Sequence, residues 1–383
     1  MGPLAGLRVI ELQGIGPTPF CGMLFADLGA QVISIGRKSS PSDRRAFISE
    51  RGKLSVALNL KMPEGVEAVL KLCENADVLI EGFRPGVTER LGIGPQACMG
   101  RNPRLVYGRM TGWGQTGPLA QAAGHDINYI SLSGALHAIG RARERPVPPL
   151  NLVGDFGGGA MFLAFGVMSA VFEAKNSGTG QVVDVSMVEG SAALMHMMHA
   201  MRAQGQWQDA RGSNLLDGGA HFYDTYETAD GKYLSIGALE PEFYRQMVRL
   251  TGVAAVDGVG AADAEHSTYM DPAQWPVLRR KLATVIKQKT RDAWCAILEG
   301  TDACVAPVLS MSEAPSHPHN RARGTFIDVA GVSQAAPAPR FSRSSPSVPQ
   351  APSPAGSDTR DVLRAAGFSE AQIETMFECG ALT

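Results

Sequence analysis

The strongest constraint in this chain is the order in which strand-like and helix-like stretches alternate from its first residues. Residues 7–12 form an apolar run of strand length, residues 18–28 have helical spacing closed by Gly29, and residues 31–35 read as a second strand. Parallel strands need a crossover connection, so a β-α-β unit implies a parallel sheet covered by helices. The alternation continues through strands at 54–58, 77–80, 104–110 and 181–185, with helices at 63–76, 158–175 and 187–206 and short ones across 85–100. The predicted class is α/β, with a large doubly wound domain.

From about residue 218 the texture changes. Tyr223, Tyr226, Tyr233 and Leu234-Ser235-Ile236 suggest short strands, followed by helices at 241–250, 274–288 and 291–298, which together predict a small α+β domain. The Pro- and Ser-rich residues 335–355 suit an extended connector. Two terminal helices follow, the second opening with the capping box Ser369-Glu370-Ala371-Gln372. The expected organisation is the large domain at 1–190, a linker helix at 191–217 and the small domain at 218–315. A connector at 316–356 then leads to helices at 357–383 that return to the large domain.

At 383 residues the chain exceeds one small core. A net charge of −2 with no basic run speaks against a nucleic-acid partner. Six scattered cysteines without a C-x-x-C pair fit a reducing compartment. No apolar run reads as the roughly 18 residues of a membrane span, and no signal peptide opens the chain, so a cytoplasmic protein without membrane insertion is expected. The loop Gly14-Ile15-Gly16-Pro17-Thr18-Pro19 lacks the third glycine of a dinucleotide fingerprint, and Arg37 stands where an acid would hold a ribose, which disfavours NAD. His196 and His199 share a helix face but have no acidic or Cys partner at ligand spacing, so no metal is predicted.

Two segments carry chemistry: Gly124-His125-Asp126-Ile127-Asn128-Tyr129 and Asn151-Leu152-Val153-Gly154-Asp155-Phe156-Gly157-Gly158-Gly159. His125 and Asp155 are proton carriers in ordered polar surroundings, as acid/base work requires. Asp155 reads as lying near the N-cap of an apolar helix. Burial there raises a carboxyl pKa and the helix terminus lowers it, and the sequence leaves the balance open.

With a third segment, Asn214-Leu215-Leu216-Asp217-Gly218-Gly219-Ala220-His221-Phe222-Tyr223, these motifs resemble the α-methylacyl-CoA racemases within the family III CoA-transferase group. The resemblance runs from Leu4-Ala5-Gly6-Leu7 to Asp361-Val362-Leu363. It implies a large domain built from both chain ends, a small middle domain and an interlocked homodimer. It also implies a 2-methylacyl-CoA substrate whose α-carbon is inverted through an enolate by His125 and Asp155, with no cofactor beyond the CoA carried by the substrate. A backbone N–H around Asp126 would hold the thioester oxygen. Asn151 and Glu240 have supporting roles, Glu240 orienting His125 from the partner subunit.

For the CoA moiety, Arg37 is placed at a strand's carboxyl end, and the resemblance adds Asn59-Leu60-Lys61, Gly82-Phe83-Arg84 and Arg90, with Gly124 and Tyr129 beside His125. The chain departs from the usual pattern at Asn59, Gly154, His221 and Asp358. Two other functions remain open on the residues alone. One is a CoA-transferase in which Asp155 attacks the thioester; the other is a non-catalytic acyl-CoA binder.

Overall fold

The computed structural model describes residues 1–37, 47–255 and 266–382. The chain divides into two units. The first comprises Met1–Ser133, Leu150–Leu194 and Arg323–Thr383, and the second Gly134–Pro149 and Met195–Ala322.

The first unit holds strands β1 (Arg8–Leu12), β2 (Gln31–Gly36), β3 (Leu54–Ala57), β4 (Val78–Glu81), β5 (Val106–Thr111) and β6 (Val182–Ser186) in one sheet of order β3-β2-β1-β4-β5-β6. All of its pairings are parallel. Helices α1 (Pro17–Asp27), α2 (Pro63–Cys73), α3 (Asp126–Leu132), α4 (Met161–Ser177) and α5 (Met187–Leu194) belong to the same unit. The strands are largely apolar, with both faces covered, and their buried charges are paired, Glu11 with Lys53 and Glu81 with Arg109. Ile10, Leu12, Leu79 and Tyr107 meet α2 and the C-terminal Val362, Leu363, Ile373 and Met376. Val9, Val32, Ile80 and Val106 meet Cys21 and Phe25 of α1 and Leu163, Val167 and Ala170 of α4. The strand order reverses between β1 and β4, which opens a crevice at their carboxyl ends where ligands bind in such sheets.

The expected helix at 158–175 proves longer and differently built. Leu152–Ala160 is a π-helical segment that runs directly into α4. The combined helix, Leu152–Ser177, spans 26 residues and contains an 18-residue window of mean hydropathy 1.5; by length and composition it is long and apolar enough to cross a membrane, which corrects the expectation that no such stretch exists. Its glycines and Asp155 had disguised it. Glycine lets it pack tightly: a Cβ on Gly190 of α5 would lie 1.8 Å from the Gly158 carbonyl oxygen, and one on Gly158 would lie 2.6 Å from the Ser191 nitrogen.

The chain's last part does more than connect. Phe326–Val329 and Val332–Ala335 form an antiparallel hairpin, and buried Arg51 binds Asp27 while donating to Gln334 Oε1 at 2.6 Å. The outer edge of β3, a potential site of unwanted strand pairing, is covered by side chains. Asp358 Oδ2 accepts from the Ser55 nitrogen at 2.7 Å and Thr359 Oγ1 from the Ala57 nitrogen at 3.0 Å. The Ser369–Gln372 capping box forms as predicted and opens the helix Glu370–Glu378.

In the second unit, β7 (Tyr223–Glu227), β8 (Tyr233–Gly237) and β9 (Val305–Val308) make an antiparallel sheet. Its core joins Phe222, Leu234 and Ile236 to Tyr244, Leu282 and Trp294 of the following helices. Residues 134–149, expected in the large domain, belong to this unit. The reason is local: Arg141 pairs with the largely buried Asp224, and Arg211 donates to the His137 carbonyl. The linker helix expected at 191–217 breaks between Leu194 and His196, at the unit boundary.

Candidate active site

The first unit brings His125 and Asp155 together at the carboxyl edge of its sheet. His125 is exposed and is the N-cap residue of α3, with its N–H donated to Asn128 Oδ1 at 3.0 Å. Tyr129, one turn on, is buried. Its hydroxyl donates to the Gly124 carbonyl oxygen, and its ring packs edge-on against Trp113 at 4.8 Å. That ring lies so close to the backbone that a Cβ on Gly112 would fall 2.0 Å from Tyr129 Cε1, and one on Gly124 would fall 2.7 Å away. Gly124 and Tyr129 therefore shape the loop that presents His125.

Asp155 is not at a helix N-cap. It is the fourth residue of the π-helical segment, whose N-cap is Asn151. Irregular turns of this kind inside helices recur at functional sites. The free N–H groups of Gly154 and Asp155 are both taken by Asp126 Oδ2, each at 2.7 Å. Asp126 thus occupies these backbone donors, and Asp155 is left with other influences. Burial pushes the Asp155 carboxyl above the ordinary carboxylate range. The hydrogen bond from Asn151 Nδ2, at 3.1 Å, draws it down, the Asp126 charge raises it, and the His125 imidazole lowers it.

The loop after β1 completes this corner. Gly16 has φ 72°, a conformation that favours glycine, and a Cβ there would sit 3.3 Å from Asp155 Oδ2. The Asp155 carboxylate therefore lies at the start of α1, beside the crevice where the strand order reverses. Gly16 was read only as part of an incomplete dinucleotide motif; a G-x-G loop after the first strand was the available signal. The Asp126 side chain was also missed, since only a backbone donor was expected there.

The predicted CoA contacts distribute unevenly. Arg37 follows β2, Gly82-Phe83-Arg84 follow β4, and Arg90 ends the short helix Val87–Arg90. The guanidinium groups of Arg37, Arg84 and Arg90 are exposed, and none has a carboxylate partner among the described residues. By contrast, Arg109 is spent on Glu81 and Glu89 in a mostly buried cluster. Lys61 is exposed as well. Phe83 and Leu60 pack against the core. Asn59 is committed elsewhere: its Nδ2 donates to the Gly380 carbonyl at 3.3 Å and its N–H to the Ala381 carbonyl.

Glu240 lies in the second unit, exposed at the N-cap of the helix Pro241–Thr251, and its charge acts on the Cys304 thiol. His221 is buried in that unit against the Tyr244 hydroxyl at 2.8 Å, and burial pushes it down to about 3, which keeps it neutral. Among the described residues no group of three or more His, Cys, Asp or Glu gathers as metal ligands would.

This arrangement can remove and return a proton at a carbon held between an imidazole and a carboxyl. The same carboxyl can also serve as a nucleophile. Comparison with known proteins narrows the field. The chain is 47% identical to the α-methylacyl-CoA racemase of Mus musculus over 374 residues, covering 97% of this chain and 95% of that protein. It is 42% identical to the Homo sapiens α-methylacyl-CoA racemase over the same shares. Among solved structures, a CAIB/BAIF family protein from Brucella suis superposes with a TM-score of 0.80 at 24% identity, over 95% of this chain and 99% of that one, which supports the fold. The sequence also matches CoA-transferase family III across residues 4–359, and the chain belongs to that family.

Proposed function

We propose that this protein is a racemase of 2-methylacyl-CoA thioesters. The observation that carries the reading is the pairing of His125 with an Asp155 whose carboxyl burial raises above the ordinary carboxylate range, two proton carriers in one corner of the first unit. The high identity to two proteins named α-methylacyl-CoA racemase supports it. In one direction His125 takes the α-proton and protonated Asp155 returns one to the opposite face; in the other the roles reverse. The active form holds one proton on the pair. The enolate oxygen is met by a backbone N–H at the start of α3, next to His125, where helix geometry leaves donors free. Arg37, Lys61, Arg84 and Arg90 hold the phosphates and adenine of the CoA moiety, which arrives as part of the substrate.

The outer face of α4 supports a homodimer. Met161, Phe165 and Phe172 recur there at helical spacing, and the two phenylalanines are 75% and 71% exposed. In such a dimer Glu240 of one subunit serves His125 of the other.

The decisive experiment incubates one epimer of a 2-methylacyl-CoA in deuterated water and analyses the product for chirality and deuterium. Inversion with α-deuterium incorporation is expected. His125→Ala and Asp155→Ala should each lower racemisation by about 10²–10⁴-fold, while each retains α-exchange of the epimer served by its surviving base. CoA passed to an added carboxylate, with neither inversion nor exchange, would establish the transferase alternative instead.

A further inference from the structure

We propose that the Asp126 side chain is a positioning residue that clamps Asp155 to the His125 helix and places a negative charge beside its carboxyl. The proposal rests on the racemase reading and adds a residue whose side chain touches neither substrate nor reacting atoms.

The geometry is specific. Asp126 follows His125 directly and is only 6% exposed. Its Oδ2 accepts two hydrogen bonds of 2.7 Å, one from the N–H of Gly154 and one from the N–H of Asp155 itself. One carboxylate oxygen thus fixes the distance between the two proton carriers. Glycine at 154 allows this approach, since a Cβ there would lie 2.5 Å from Oδ2 and 2.8 Å from Cγ of Asp126. The other oxygen, Oδ1, is buried and has no hydrogen-bond partner. Among the described residues no Lys or Arg pairs with this carboxylate. Its charge is therefore compensated only by two backbone dipoles and remains felt by its neighbour.

Other groups near Asp155 do not duplicate this effect. On its own segment Asn151 donates a hydrogen bond, and α3 presents His125 and the Tyr129 hydroxyl. The start of α1 offers the glycine backbone of Gly16 and no charge. On α5 the acidic residue is Glu189, on β6 Asp184 accepts from the Gln115 nitrogen, and Arg109 on β5 is neutralised by Glu81 and Glu89. At the far end of α4 stand Glu173 and Lys175. The Asp126 charge accordingly raises Asp155, in the same sense as burial.

Two full-length variants separate clamp from charge. Asp126→Asn keeps an oxygen that can accept both N–H groups and removes the charge. Its plateau kcat should stay within about tenfold of the parent, while the acid limb of the kcat/KM profile, where the pair takes up its second proton, moves to lower pH. Asp126→Glu keeps the charge and displaces the clamp; kcat should fall by about a hundredfold or more with the acid limb in place. An Asp126→Asn profile that superimposes on the parent's would overturn the proposal, as would an Asp126→Glu enzyme with full kcat. The racemase reading is tested separately by deuterium exchange in the parent enzyme. If that reading fails, carbon-13 NMR titration of the Asp155 carboxyl in parent and Asp126→Asn protein still decides: a lowered midpoint supports the inference and an unchanged one sinks it.

Discussion

At the scale of residues, the site is governed by how Asp155 is surrounded more than by its identity. Asn151 and Asp126 act on it with opposite sign, the first stabilising the carboxylate through a hydrogen bond and the second opposing it by charge. Asn151→Ala should therefore move the acid limb of the pH profile up, whereas Asp126→Asn moves it down. Measuring kcat/KM against pH for both variants checks the pair, and a shift of equal sign in both would contradict this electrostatic account. The sequence reading singled out His125 and Asp155 from two long motifs, and both motifs lie in the first unit. The balance of forces on Asp155 was not legible, because it depends on which carboxylate reaches the free N–H groups of the π-helical segment, and Asp126 lies 28 and 29 positions before them. The motif departures at Asn59, His221 and Asp358 turn out to hold backbone or core in place, which residue identity alone did not reveal.

At the scale of elements, the triple glycine is a contact surface. Gly158 meets Gly190 backbone to backbone, which fixes the rotation of the π-helical segment and so the direction in which Asp155 points. Gly190→Ala must drive the two helices apart or force one to bend. A loss of about 1–3 kcal/mol is expected from such overpacking, readable as a lowered urea midpoint with an unchanged slope, together with reduced kcat. The β-α-β rhythm was readable from residues 7–35 because parallel strands buried on both faces are continuously apolar. The helix Leu152–Ser177 escaped because a run of glycines signals a loop when read locally. Only the neighbouring helix gives it another meaning. On the edge strand β3, Asp358→Ala removes the acceptor of the Ser55 N–H. A cost of about 1 kcal/mol follows from the lost hydrogen bond, and a thermal melt would register it.

At the scale of the whole molecule, the homodimer we propose would use the exposed apolar face of α4. Phe165→Glu combined with Phe172→Glu should shift the protein to monomer in light scattering and make activity depend on protein concentration; a variant that stays dimeric would place the interface elsewhere. Residues 134–149, expected with the large domain, fall in the second unit because contacts distant in sequence hold them there: Arg141 with Asp224 and Thr225, and Arg211 with the His137 carbonyl.

The return of the C-terminal segment to β3 also has a consequence for synthesis. A nascent chain that has just passed Leu194 already contains all six strands of the parallel sheet, yet it still lacks Val362, Leu363, Ile373 and Met376 from one of its two cores. The part of that sheet face not covered by α2, and the β3 edge, stay open while the ribosome makes residues 195–322 of the second unit, at roughly 5–20 residues per second. During that interval the unfinished sheet is the part of this protein most in need of a chaperone.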